Sequence, residues 1–207
     1  MPAVIVDAIR TPRGQAKPTG ALHPVAPVAL LAGQLTSLVE RSGVDPSALG
    51  DLIAGCVTQT AEQGGNIAKT ALAVAGLPRT MSGVTINRFC ASGLSAVGWA
   101  ALQVEANGGF AIGGGVESMS RVAMLSDGAP LYTDKAVMSA AGFLPLPLVA
   151  DLVASEEGIT RAECDAYAAL SQARATRARD AGLFDRSVVP VRGADGAPAR
   201  VAGQVEP

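Results

Sequence analysis

The chain has 207 residues, of which 49% are hydrophobic and 16% charged, with a formal net charge of −2. This length and composition describe one large globular domain, or a domain and a half, and exclude a disordered chain. The nearly neutral charge gives no reason to expect nucleic acid or an anionic membrane as a partner.

The cysteines and the apolar runs narrow the class of protein further. Cys56, Cys90 and Cys164 lie far apart and have no metal-ligand spacing, so the sequence predicts no metal site. An odd number of cysteines without a signal peptide favours a reducing, cytoplasmic location. No apolar run of membrane-spanning length lacks Gly, Pro or charge, so no membrane partner is expected.

The first third of the chain predicts a strand and then a helix. Residues 3–9 are predicted to form a central strand, which ends in turn chemistry at 10–14. The loop at 17–25 holds His23, the only histidine, and such a residue is more often a solvated side chain than a base. Leucines at helical spacing predict an amphipathic helix over 28–39 that packs on a sheet.

The next segments carry clear start and stop signals. Asp45, followed by proline, predicts the cap of a short helical turn. Residues 52–58 are predicted to form a buried strand in which Cys56 is a packing residue. After a polar loop, Asn66 is predicted to cap a helix that runs to about Ala75.

The stretch around Cys90 is predicted to form a buried strand, a sharp corner and a helix. Val84 and Ile86 show strand alternation, and the corner carries Cys90. From Ala91 to Leu102 no residue is charged and the apolar positions surround the axis, which predicts a buried helix. The positive end of this helix would favour the thiolate, the nucleophilic form of cysteine. The alternative is that Cys90 is a small buried hydrophobe.

A turn at Asn107 and a strand at 110–115 follow, and this strand–helix–strand order predicts a parallel sheet with right-handed crossovers. The glycines at 113–115 lack the spacing of a phosphate-binding loop and favour close approach of the backbone to a neighbouring loop. Glu117 is a candidate to orient the nucleophile loop by hydrogen bonds, or else a surface carboxylate of a first turn.

The last third is predicted to be loop-rich over 126–148. Thr160 and Glu163 form a capping box that begins a helix. The segment 187–192 reads as extended, and the tail at 193–207 has no core pattern. Three arginines near the end of that helix suit its dipole, and they either form a solvated face or meet a phosphate-rich ligand: Arg174, Arg177 and Arg179.

The corner reads Asn-Arg-Phe-Cys-Ala-Ser-Gly at 87–93, and Gly-Gly-Val-Glu-Ser-Met-Ser follows at 114–120. These two motifs, in this order, resemble the thiolases, a family of acyl-CoA acyltransferases. The opening turn at 10–14 extends the resemblance. So does the region 55–68, which in that family helps to build the subunit interface beside the nucleophile loop.

The resemblance implies an α/β fold. In it, a mixed, largely parallel sheet carries a buried helix after the nucleophile and further helices on its outer face. Residues 1–121 would form the N-terminal catalytic domain, and residues 122–207 part of a substrate-covering loop domain. In the family two such halves pack into five layers and subunits dimerise. One apolar face of the helix at 91–103 would otherwise be unmatched, so we expect a second copy or a C-terminal partner half.

The resemblance also implies the chemistry. Cys90 would accept an acetyl or other acyl group from coenzyme A, in thiolysis or in Claisen condensation, with acyl-CoA and coenzyme A as substrates and no permanently bound cofactor. This is covalent catalysis by an activated nucleophile, with oxyanions stabilised at the acyl-transfer and enolate stages.

The sequence departs from the family pattern in two respects. It contains neither the family's Gly-His-Pro and Cys-x-Gly-Gly motifs nor its Asn-Glu-x-Phe motif. In addition, residues 145–152 replace the run that contacts pantetheine, and two of the replacements are prolines, which lack an N–H donor. An alternative function is therefore a catalytically incomplete half-protein that binds acyl-CoA or a C-terminal partner chain. A third is a cysteine hydrolase that uses His23.

Overall fold

The computed structural model describes residues 2–192. Its sheet has three strands: β1 (Leu49–Gly55), β2 (Ser82–Ile86) and β3 (Phe110–Gly115). The strands are parallel in the order β2-β1-β3, which confirms the predicted parallel sheet. Three helices belong to the same compact unit: α1 (Pro27–Ser42), α2 (Ile67–Val74) and α3 (Ser92–Asn107).

Helices cover both faces of the sheet because the buried strands carry apolar side chains on both sides. On one face, Leu52 of β1 packs in a cluster with Leu35 of α1 and Leu72 of α2. On the other face, Ile53 packs with Ala96 of α3. The chain therefore has the predicted α/β architecture, with α1 and α2 in one layer and α3 in the opposite one.

The predicted start signals of the first helices are confirmed. The Asn66 side chain accepts the N–H of Lys69 at 3.2 Å, and α2 begins at the next residue. The Asp45 side chain accepts the N–H of Ser47 at 2.9 Å and caps a short 3-10 turn. The helix predicted over 28–39 is α1, which ends at a left-handed Gly43 with φ of 66°.

The prediction that α3 is buried on all sides is wrong for this chain. Only its face of small residues, such as Ala96 and Ala100, packs on the sheet. The opposite face is exposed, with Leu94 78% and Leu102 64% accessible. A helix that is apolar on all sides can be buried on all sides, but within residues 2–192 only one face of α3 has residues packed against it. The expected unmatched apolar face is therefore present.

Glycines bring α3 and the sheet unusually close together. A Cβ atom on Gly113 would lie 2.6 Å from Val97 Cα, and one on Gly55 would lie 2.5 Å from the carbonyl carbon of Ser92. The predicted close approach at 113–115 is thus confirmed, although Gly113 meets helix α3 and not a loop. A Cβ on Gly115 would lie 2.6 Å from the carbonyl oxygen of Gly55 in the neighbouring strand.

The prediction of a central strand at 3–9 is wrong. This segment pairs with no strand among the described residues, and Val4 is 80% exposed. The segment is held by side chains instead: Glu105 accepts the N–H of Ala3 at 3.1 Å, and Asp7 pairs with Arg41 at 2.9 Å. Together with β3, α1 and α3 it lines a cleft of about 1740 Å³.

The described residues divide into two compact units, 2–126 with 185–192 and 127–184. The returning segment joins the first unit through a parallel bridge between Arg10 and Val188. The tail predicted to lack a core pattern, 193–207, lies outside the described residues. Within 2–192 no helix is both long enough and apolar enough to cross a membrane.

The second unit is helical. It consists of α4 (Pro130–Thr133), α5 (Lys135–Ala140), α6 (Leu146–Glu156) and α7 (Arg161–Asp180). The prediction of a loop-rich segment at 126–148 is therefore wrong. Its prolines lie in the first turns of α4 and α6 or, for Pro145, at the N-cap of α6, where a missing N–H breaks no helical hydrogen bond.

The predicted capping box of α7 is confirmed. The hydroxyl of Thr160 accepts the N–H of Glu163 at 3.3 Å, and the Glu163 carboxylate accepts the N–H of Thr160 at 2.8 Å. The hydrogen bonds that the Glu163 carboxylate accepts from the N–H and from the hydroxyl of Thr160 lower the pKa of Glu163. Gly182, with φ of 67°, follows the end of the helix.

Candidate active site

Cys90 lies in the corner between the end of β2 and the start of α3, and its side chain is exposed. The residue before it, Phe89, has φ of 48°. For a residue with a side chain this left-handed conformation costs about 1–2 kcal/mol. Such strain persists only where the surroundings hold it, and it is concentrated at functional sites.

Two polar side chains hold the corner. Ser92, which is buried, accepts the N–H of Arg88 at 2.8 Å and donates its hydroxyl to the carbonyl of Phe89 at 2.6 Å. The Asn87 side chain accepts the N–H of Phe89 at 2.8 Å. The strained residue is thus hydrogen-bonded at its N–H and at its carbonyl.

The corner places Cys90 two residues before the first helical residue of α3, a helix of 16 residues. The N-terminal N–H groups of a helix and its dipole create a positive field at this end. Developing negative charge on a thiol or on a bound carbonyl oxygen is favoured there. This is the position that the strand–corner–helix pattern predicts.

Glu117 follows β3 and binds the loop after β1. Its carboxylate accepts the N–H of Val57 at 2.7 Å, the N–H of Thr58 at 3.3 Å and the Nε2 of Gln63 at 2.7 Å. It does not contact the Cys90 corner by a hydrogen bond within residues 2–192. The predicted hydrogen bonds of Glu117 therefore exist, but they orient a neighbouring loop.

Gln63 is a buried residue beside the candidate site that the sequence analysis did not single out. It is fully buried, donates to the carbonyl of Thr58 at 3.0 Å and accepts the N–H of Ser118 at 2.7 Å. It thereby joins the loop after β1 to the segment after β3. A glutamine in a polar loop has no pattern that marks it as buried, although Gln63 lies in the region 55–68 that extends the resemblance.

The strand predicted over 52–58 is β1, which lies three residues earlier and ends before Cys56. Cys56 is nevertheless buried, which confirms its prediction as a packing residue. Burial raises the pKa of its thiol to about 12, and the negative charge of Glu117 acts in the same direction. Cys56 is therefore protonated and inert at neutral pH. Cys164, on α7, is exposed.

His23 belongs to a different cluster from Cys90. Its carbonyl accepts a hydrogen bond from Arg121 at 2.7 Å, and Arg121 binds Glu62 through two nitrogens at 2.7 and 2.9 Å. Those bonds lower the pKa of Glu62. The imidazole is half-buried, and its Nδ1 is buried with no hydrogen-bond partner among the residues that the structure describes, so the expectation of a solvated side chain is wrong. No hydrogen bond within 2–192 joins His23 to Cys90.

The three arginines of α7 lie where the sequence predicts them. Arg177 and Arg179 belong to the last turn, and Arg179 pairs with Asp180 at 3.1 Å. Their binding of a phosphate-rich ligand stays a prediction. Among residues 2–192 there is no group of three or more His, Cys, Asp or Glu side chains arranged to hold a metal ion.

Comparison with known proteins points to one family, both by the family match and by the individual relatives. The family described as thiolase, N-terminal domain, matches residues 3–204. A beta-ketoadipyl-CoA thiolase of Pseudomonas aeruginosa is 40% identical over 205 residues, which cover 90% of this chain and 51% of that protein.

Two further relatives are 3-ketoacyl-CoA thiolases. The one from Colwellia psychrerythraea is 39% identical over 196 residues and that from Acinetobacter baumannii 38% over 193. Each match covers 93% of this chain, and 50% and 49% of the respective relatives. The chain thus spans about half the length of the curated relatives it matches.

Proposed function

Because the chain belongs to the thiolase family, we propose that Cys90 is the acyl acceptor of a thiolase-type acyltransferase. Its substrates are acyl-CoA and coenzyme A, with no permanently bound cofactor, and the reaction is thiolysis or Claisen condensation. The observation that carries the proposal is the exposed Cys90 in a strained, hydrogen-bonded corner at the positive end of α3.

In the acyl-transfer step, the thiolate of Cys90 attacks the thioester carbonyl. A carbon–sulfur bond to Cys90 forms, the bond to coenzyme A breaks, and the coenzyme A thiolate takes up the proton that Cys90 has lost. The positive field at the start of α3 supports stabilisation of the oxyanion formed on the way.

The base that turnover requires beyond the first acylation of Cys90 is proposed to come from a second half of the family's fold, joined to this chain or bound to it as a partner. The family's Gly-His-Pro and Cys-x-Gly-Gly motifs do not occur in these 207 residues. Support comes from the apolar face that α3 exposes and from the half-length match to the relatives. A second copy of the chain is the other way to cover that face.

The remaining proposals follow the family pattern. Residues 1–121 are proposed to be the catalytic domain and 122–207 part of the loop domain that covers the substrate. The location is proposed to be the cytoplasm.

A second candidate function is a catalytically incomplete half-protein that binds acyl-CoA or a partner chain. It is favoured by α6, which begins with prolines at positions where the family resemblance places the pantetheine-contacting run.

Acylation of the purified chain by acetyl-CoA, measured as intact mass, tests the proposal. The wild type is expected to gain one acetyl group, and Cys90→Ala none. Cys164→Ala is the matched control because Cys164 is the other exposed cysteine, and it should acetylate like the wild type. If no adduct forms while iodoacetamide still labels Cys90, the acyltransferase proposal for this chain is wrong. The result would then support the second candidate function, a catalytically incomplete half-protein.

A further inference from the structure

A series of hydrogen bonds leads from the end of β3 to the corner that carries Cys90. The Glu117 carboxylate accepts the N–H of Val57 at 2.7 Å. The carbonyl of Val57 accepts a hydrogen bond from Asn87 Nδ2 at 3.1 Å, and Asn87 Oδ1 accepts the N–H of Phe89 at 2.8 Å. Glu117 is thus connected to the residue beside Cys90 through one backbone residue and one side chain.

The two ends of the Asn87 side chain do different things. Its oxygen binds an N–H two residues later, which is a local turn that an aspartate could make equally well. Its nitrogen donates to the carbonyl of Val57, 30 residues earlier in the chain, which an ionised aspartate cannot do because it only accepts hydrogen bonds. The amide of Asn87 therefore joins the corner to the loop after β1.

The corner depends on such a link. The Ser92 hydroxyl binds Arg88 and Phe89, so its hydrogen bonds hold the corner to the first residue of α3 and not to the loop after β1. The left-handed conformation of Phe89 persists only where the surroundings hold it. The hydrogen bond from Asn87 to Val57 fixes this corner relative to the sheet, because Val57 lies just beyond β1 and is held by Glu117.

We propose that Asn87 is a positioning residue for Cys90, and that Glu117 acts through it by fixing the backbone of Val57. The inference rests on the proposed function, since it concerns the orientation of the acyl-accepting thiol. A misplaced thiol still reacts with a small alkylating agent, but it loses the alignment that attack on a thioester carbonyl requires.

The test compares N87A, N87D and E117Q with the wild type. N87D keeps the acceptor of the local turn but loses the donor to Val57. E117Q keeps the shape of the side chain but has one acceptor oxygen in place of two. Q59A is the matched control, because Gln59 donates to the carbonyl of Cys56 in the same loop at 3.0 Å and has no hydrogen bond to the corner.

Two rates at Cys90 are measured in the full chain: acetylation by acetyl-CoA and alkylation by iodoacetamide. N87A and N87D are expected to acetylate more slowly by about tenfold, with alkylation changed by less than about twofold. E117Q should slow acetylation as well, and the N87A/E117Q double variant should be no slower than N87A because both act along one path. Q59A should match the wild type in both rates.

N87D at the wild-type rate would overturn the proposal, because the local turn would then suffice. Additive effects in the double variant would also overturn it, because Glu117 would then act by another route.

Amide hydrogen exchange is a second measurement of the same inference, and it needs no acyl-CoA. E117Q and N87A are both expected to speed the exchange of the Phe89 N–H, while Q59A leaves it unchanged. Unaltered exchange in E117Q overturns the inference. A wild-type chain that takes up no acetyl group overturns the proposed function alone, since exchange still decides whether the hydrogen-bonded path holds the corner.

Discussion

The three cysteines of the chain occupy three different environments. Cys56 is buried directly after β1, Cys90 is exposed at a helix N-terminus, and Cys164 is exposed on the surface of α7. Burial disfavours the thiolate, the reactive form of cysteine. The chain therefore has one inert thiol and two accessible ones, and only Cys90 combines exposure with the positive end of a helix.

Alkali is expected to destabilise the folded chain through Cys56. In the unfolded chain its thiol ionises near the ordinary pKa of 9.0, whereas the folded protein keeps it protonated until about pH 12. Between these two pH values the unfolded state binds fewer protons than the folded state. The stability that the protonated, buried Cys56 thiol contributes is therefore complete below pH 9 and is lost as the pH rises toward 12.

Urea unfolding of the wild type and Cys56→Ala over this alkaline range measures the effect. The difference in unfolding free energy between them should narrow with rising pH, because the variant lacks this titration. Cys164→Ala should run parallel to the wild type. A pH-independent difference between the wild type and Cys56→Ala would contradict the prediction.

Gly113→Ala is expected to destabilise the protein by about 1–3 kcal/mol. The new Cβ would lie 2.6 Å from Val97 Cα and 2.8 Å from the carbonyl oxygen of Ala96, and both are backbone atoms that cannot rotate away. Gly98→Ala, within α3, is the control: its Cβ meets nothing within 4 Å, so it should stabilise by about 0.5–1 kcal/mol. Equal effects in thermal unfolding would exclude this packing argument.

At the scale of elements, features with local causes are predictable from sequence. The caps at Asn66 and Thr160 are confirmed because capping uses residues within one turn. The strand predicted at 3–9 is absent because an apolar run reports a tendency to be buried and does not supply a pairing partner. The helices within 126–148 were missed because prolines that open a helix resemble prolines that end one.

In the candidate site, too, the features with local causes are predictable from sequence and those that depend on tertiary contacts are not. The placement of Cys90 at the head of a helix follows from a local strand–corner–helix pattern. The roles of Gln63 and Asn87 depend on carbonyls and carboxylates brought close by the tertiary fold. Hydrogen bonds between residues tens of positions apart leave no periodic signal in the chain.

Thr160→Ala is expected to destabilise α7 by about 1 kcal/mol, because it removes the capping hydroxyl and one side of the box. Thr160→Ser should retain most of the stability, since serine caps equally well. Amide exchange in the first turn of α7 measures the effect locally, and exchange as slow in the alanine variant as in the serine variant would contradict it.

At the scale of the molecule, the apolar face of α3 is the surface through which we expect association. It presents four large exposed side chains: Leu94, Val97, Trp99 and Leu102. Contiguous apolar surface of this kind is characteristic of interaction sites. The small residues of the opposite face pack against the sheet. Both faces of α3 are therefore apolar, and only one of them is covered within residues 2–192.

Light scattering of the purified chain is therefore expected to show association. The double variant Leu94→Gln, Leu102→Gln should lower the associated fraction by at least about tenfold, because each polar replacement removes a buried apolar side chain from the contact. Val74→Gln is the control, since Val74 is exposed on α2 in the opposite layer. A monomeric wild type would contradict the prediction.

The position of β3 at the edge of the sheet also affects how this chain behaves during expression and storage. An edge strand presents a row of backbone donors and acceptors that can template another strand, and such edges seed insoluble aggregates. The last three residues of β3 are glycines, which have weak strand propensity and slow that growth. The yield of soluble protein should therefore depend steeply on concentration, and a charged substitution at Phe110, the exposed first residue of β3, should relieve that dependence.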